Sequence, residues 1–129
     1  MKAIILFGHG ARDPEWARPF HHIRDAILAQ SPGLPVEFAF LELMRPTLDE
    51  VIDGLAARGA TAIDIVPVFM AAGAHVRRDL PQLAATALER HPQLAIAIAR
   101  PVGEAPGVID AMAAYALAPD INPDQTPSP

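Results

Sequence analysis

The sequence predicts an α/β fold: one domain, a three-layer sandwich around a four-stranded parallel sheet. Predominantly apolar runs of strand length alternate four times with segments of helix length. The connections between them are short and punctuated by proline and glycine. At 129 residues, 51% of them hydrophobic, the chain suits a single core. The alternation implies right-handed crossovers between parallel strands, with helices covering both faces. Residues 1–118 make up the domain, and 119–129 read as a disordered proline-rich tail with nothing to bury.

Each element has its own warrant. Residues 2–7 are too uniformly apolar for a strand with one wet face. Asp13-Pro14 supplies an N-cap and a proline at the first helical position. Trp16, Phe20, Ile23, Ile27 and Leu28 then recur at helical spacing up to Ser31-Pro32-Gly33. Residues 35–42 form the second strand. A second helix opens at Pro46 or Thr47, buries Leu48, Val51, Ile52 and Leu55, and stops at Arg58-Gly59. Residues 62–69 form the third strand, with Pro67 near its end because proline removes a ladder donor. The third helix runs over about 79–90, the fourth strand over 94–99 and the fourth helix over 106–117. A sheet this small is expected to pair with another subunit, giving a dimer.

Composition narrows the function. The net charge of -5 and 5% aromatic content argue against a nucleic-acid partner. No apolar run approaches the ~20 residues of a membrane span, and the start of the chain does not read as a signal peptide. The expectation is a soluble, cytoplasmic protein with no membrane partner. With no cysteine, a metal would have to be held by nitrogen and oxygen.

Parallel strands release their chains at one edge, and that edge carries His9, Glu42 and His75. Two imidazoles and a carboxylate suit Co, Fe, Ni or Zn rather than Mg or Ca, and leave coordination positions open. Plainer readings stand beside this one. Each histidine serves equally as a loop hydrogen-bonding residue, and Glu42 as a helix cap or a partner of Arg45. Adjacent His21 and His22 point apart, so they read as surface or packing residues. His91 reads as a helix C-cap. Gly8-His9-Gly10-Ala11-Arg12 has neither P-loop nor dinucleotide-turn spacing, and no serine nucleophile elbow is present. Arg12, Arg45, Arg77 and Arg78 are all expected in loops at the active edge. They are either anion-binding groups or ordinary ion-pair partners of Asp13, Asp49 and Asp79.

Three stretches resemble the CbiX/SirB family of sirohydrochlorin chelatases, of the small single-domain type. These are Gly8-His9-Gly10-Ala11-Arg12-Asp13-Pro14, Leu41-Glu42 with Pro46-Thr47-Leu48, and the run from Val66 to Pro81. The family usually has serine where this chain has Ala11. The resemblance implies the chelatase-like half of a flavodoxin-like architecture, working as a homodimer where longer relatives carry two such domains. It implies insertion of Co2+ or Fe2+, with Ni2+ also admitted, into a tetrapyrrole in cobalamin or siroheme biosynthesis, the metal being a substrate and no organic cofactor being used. It assigns the metal to His9, His75 and Glu42, and catalysis to His9 and His75, with His9 as base. Glu42, His75 and Met70, Ala71, Ala72, Gly73 and Ala74 would meet the tetrapyrrole, and Arg12 and Arg45 its carboxylates. The alternatives are a non-catalytic carrier of metal or tetrapyrrole with the same fold and a phosphate-ester hydrolase using His9.

Overall fold

The computed structural model describes residues 1–125 and Pro127. Its main elements are β1 (Lys2–Gly8), α1 (Arg18–Gln30), β2 (Val36–Phe40), α2 (Leu48–Ala57), β3 (Ala62–Pro67), α3 (Ala74–Arg90), β4 (Ala95–Ile98) and α4 (Pro106–Leu117). Single 3-10 turns at Pro14–Ala17 and Val102–Glu104 precede α1 and α4. All four strands are parallel, in the order β2-β1-β3-β4. The chain winds one way from β1 to β2 and the other way from β3 to β4. The direction therefore reverses between β1 and β3, and a crevice at such a switch point is where open α/β sheets place ligands.

Strand alternation divides the core. Ala3, Ile5 and Phe7 of β1, with Ile63 and Ile65 of β3, meet the apolar faces of α2 and α3. Leu6, with Val36 and Phe40 of β2, meets Ala17 and Phe20. Asp13 accepts from the Glu15 N–H at 3.0 Å and Pro14 follows, so the expected cap is present. It starts the 3-10 turn from which α1 continues. Thr47 caps α2 through its hydroxyl, and the chain turns at Gly59. Pro67 is the last residue of β3, where its missing N–H disrupts the ladder least.

Three expectations change. α3 begins at Ala74, five residues earlier than its sequence suggested, and Pro81 lies inside it. An interior proline costs about 3 kcal/mol. Extending the helix buries Val76 on the core face, at roughly 1.5–3 kcal/mol, which offsets that cost. His75, Arg77 and Arg78 are therefore helical residues, not loop residues. Second, β2 ends at Phe40, so Glu42 lies just beyond the strand.

Third, α4 does not help to cover the sheet: none of its residues is buried, and it packs on the 3-10 turn before it. β4, a four-residue edge strand, offers it little surface; Ala95, Ala97 and Ile98 are themselves exposed. The expected disordered tail includes Thr126, Ser128 and Pro129, which lie outside the described residues. No helix among the described residues is long and apolar enough to cross a membrane.

Candidate active site

Beyond their last paired residues, β1 and β2 keep tracking each other. The Leu41 N–H donates to the Gly8 carbonyl at 2.9 Å and the Glu42 N–H to the His9 carbonyl at 3.1 Å. Gly10 makes this closeness possible. It has φ +100°, and a Cβ there would sit 1.8 Å from the Glu42 carbonyl oxygen. The two backbones thus bring the side chains together, His9 Nε2 to Glu42 Oε1 at 3.0 Å. A carboxylate only accepts, so Nε2 carries the hydrogen, and in the neutral ring the lone pair lies on Nδ1. His9 and Glu42 are each about half exposed, with side chains 54% and 56% accessible.

The exit from β3 closes in from the other side of the switch point. Val68 donates its N–H to the Phe7 carbonyl at 2.8 Å. Phe69 sets its ring edge-on to Phe7 at 5.9 Å and to His9 at 6.3 Å between centroids. Gly103, far along the chain, donates its N–H to the Phe69 carbonyl at 2.9 Å. A Cβ on Gly103 would lie 2.1 Å from the Met70 carbonyl oxygen, so the loop rests directly on that glycine. Met70, Ala71, Gly73 and Ala74 are exposed and Ala72 is half-buried. Four small residues here leave the backbone open to a flat ligand.

His75 lies exposed in the first turn of α3, where its Nδ1 is 2.9 Å from Arg78 Nη2. Among the described residues no three His, Cys, Asp or Glu side chains are grouped to hold a metal. The structure therefore joins His9 to Glu42 and leaves His75 outside that pair. Its position on a helix rather than a loop, with its ring turned to Arg78, accounts for the separation.

The arginines differ. Arg45 bonds Glu50 through Nε at 3.0 Å and through Nη2. That bond raises the Arg45 pKa and lowers the Glu50 carboxyl below its ordinary value. Arg45 is thus committed to an ion pair. Arg12 is exposed; like Arg77, its guanidinium makes no ion pair or hydrogen bond among the described residues. The remaining histidines follow their plain readings. His21 packs edge-on to Phe38 at 4.7 Å, and His91 is the C-cap of α3, with Nε2 2.7 Å from Asp53 Oδ1.

Sequence reasoning missed an apolar cavity of about 140 Å³ beside the loop, lined by Pro67, Ala72, Val76, Leu80, Ile98 and Pro101 among others. Val76 and Leu80, at helical spacing upstream and downstream of Asp79, were the signal for it. A larger hollow of about 280 Å³, between Glu37 and α2, contains none of the expected site residues.

Comparison with known proteins identifies the fold and the family. The sirohydrochlorin cobaltochelatase of Saccharolobus solfataricus is 41% identical over 83 residues, covering 64% of this chain and 63% of that protein. The match thus spans less than two thirds of that relative's length. The crystal structure of a putative cobalamin biosynthesis CbiX protein from Marinobacter aquaeolei superposes with a TM-score of 0.78 at 28% identity, over 91% of this chain and 95% of that one. The sirohydrochlorin chelatase SirB of Bacillus subtilis, in complex with cobalt, gives 0.75 at 27% identity, over 95% of this chain but 56% of that one. The CbiX family model matches residues 3–116, and with a match over nearly its whole length this chain belongs to the CbiX family.

Proposed function

We propose that the protein is a metal chelatase that inserts a divalent ion, Co2+ or Fe2+, into sirohydrochlorin, acting in the cytoplasm as a homodimer. The observation that carries this reading is the His9–Glu42 pair at the switch point of a CbiX fold, with Phe69 of the β3 exit edge-on to His9. Insertion exchanges two pyrrole N–H protons for one M2+, so the site needs a proton acceptor beside the incoming ion. The Nδ1 lone pair of a neutral His9 serves as that acceptor or as a metal donor. Glu42 holds the ring by its other nitrogen and adds negative charge where the cation arrives. Met70, Ala71, Ala72, Gly73 and Ala74 form the shelf for the macrocycle. His75 is a metal ligand that the ion reaches only after Arg78 is displaced. Arg12 is available to a substrate carboxylate, whereas Arg45 must first leave Glu50.

The test is to follow the macrocycle's absorbance on mixing the protein with sirohydrochlorin and Co2+ or Fe2+. Catalysis well above the metal-only background is expected, and His9→Ala is expected to lower it at least about 100-fold, the lower end of the range for a lost acid–base group. Binding of metal or macrocycle without acceleration would make the chain a carrier. Full activity in His9→Ala would overturn the site.

The second copy has a natural place. α4 exposes Val108, Ile109, Tyr115 and Leu117, and Ile98 of the edge strand is 38% exposed. Val108 and Tyr115, seven residues apart, share one side of the helix, and an exposed apolar helix side is the kind of surface that an interface covers. This chain accounts for little more than half of SirB, leaving room in that longer protein for a second unit of similar length. A second copy of this chain is the occupant that fits.

A further inference from the structure

His75 and Arg78 stand one turn apart on α3, where residues three apart share a face. Arg78 reaches His75 Nδ1 with Nη2 at 2.9 Å, and its Nε donates to Asp79 Oδ1 at 3.2 Å. The guanidinium is thus tethered on one side by a carboxylate and presented to the imidazole on the other. It has five donors, no acceptor and a permanent charge, so His75 Nδ1 must accept. In the neutral ring the hydrogen is then on Nε2. Both nitrogens are closed to a cation, one by Arg78 and the other by its own hydrogen. A metal ion can use His75 only by displacing the guanidinium, because moving the ring hydrogen to Nδ1 breaks the same bond.

The two imidazoles are therefore opposites. His9 is backed by a carboxylate and keeps Nδ1 open, while His75 is engaged by a cation. We propose that Arg78 is a positioning residue that competes with the incoming divalent ion for His75 Nδ1 and keeps that ligand's hold weak enough for the ion to be passed on. This inference rests on the reading of His75 as a metal ligand.

The experiment is calorimetric titration of the full-length protein with Co2+ at fixed pH and ionic strength. Arg78→Met keeps most of the stem and removes the donors and charge; circular dichroism and a melting curve confirm the fold. It is expected to bind Co2+ about fivefold tighter, the scale of an exposed charged contact. Arg78→Lys should stay near wild type. Arg77→Met controls for the loss of one positive charge and should change binding much less. His75→Ala should weaken binding, and in that background Arg78→Met should have no further effect.

Unchanged or weaker binding in Arg78→Met, where His75→Ala does weaken it, overturns the competition and leaves His75 a ligand. Equal tightening in Arg77→Met or Arg78→Lys also overturns it. Wild-type binding in His75→Ala overturns the ligand reading, and the competition with it.

Discussion

Gly10 shows how one residue without a side chain fixes two that have them. Its positive φ and the 1.8 Å that a Cβ would leave to the Glu42 carbonyl mean that even alanine must push the β1 and β2 exits apart. Gly10→Ala is expected to lose about 1–3 kcal/mol to backbone strain alone, read from urea unfolding. It should also cut metal insertion more than tenfold, because the His9–Glu42 bond depends on the same closeness. Glu42→Gln keeps an oxygen acceptor for His9 but removes the charge. It should leave the melting temperature near wild type while weakening Co2+ binding, and an unchanged affinity would show that Glu42 only orients the ring. His9 and Glu42 were legible because each follows an apolar strand at the same sheet edge. The pairing of Arg45 with Glu50, and of Arg78 with His75, was not. The first joins a loop arginine to a carboxylate of the first turn of α2, a rotamer choice that hydrophobic spacing does not report, and the second exists only because α3 begins at Ala74, five residues before the expected start.

At the scale of elements, α2 and α3 are fastened where α3 ends. Arg90 bonds Asp53 Oδ1 through Nε at 3.3 Å and Nη2 at 3.0 Å and reaches Asp49 at 3.5 Å, while His91 meets the same Asp53 oxygen at 2.7 Å. The His91 bond first, and Arg90 second, hold the Asp53 carboxyl below its ordinary 3.8. A carboxyl depressed in the folded state adds stability above its unfolded pKa and loses it as pH falls through the folded value. Asp53→Asn should therefore unfold at a lower urea concentration than wild type at pH 7, and the difference should shrink to nothing in strong acid. A difference that persists there would mean that packing, not charge, makes the fastening. Asp53 is half exposed, so the effect is small. The sequence revealed His91 as a cap but not its partner, since a residue 38 positions away is brought near only by helix packing. The early start of α3 was hidden by Pro81, whose local cost is overridden by burial of Val76.

For the whole molecule, the parallel sheet and the right-handed crossovers were legible in the alternation of elements, whereas the order β2-β1-β3-β4 was not, because crossover handedness leaves open on which side of β1 each later strand is added. Nor was the idle fourth helix, because periodicity reports that a segment is apolar and not what covers it. Val108→Asp with Tyr115→Asp places two charges on the exposed side of α4, where both residues are at least one-third accessible. Light scattering after size exclusion should give about twice the 13.8 kDa chain mass for wild type and a single chain for the double variant. Equal masses for the two would remove α4 from the interface.

The contact between Gly103 and the Phe69–Met70 backbone carries its own consequence for biosynthesis. During translation the loop after β3 leaves the ribosome about thirty residues before the glycine it rests on, and domains are completed in the order they emerge. The exit from β3 therefore stays unsupported until nearly the whole domain has been made, so a chain cut short between α3 and that turn would carry both His9 and His75 and still leave the Phe69–Met70 backbone without its rest.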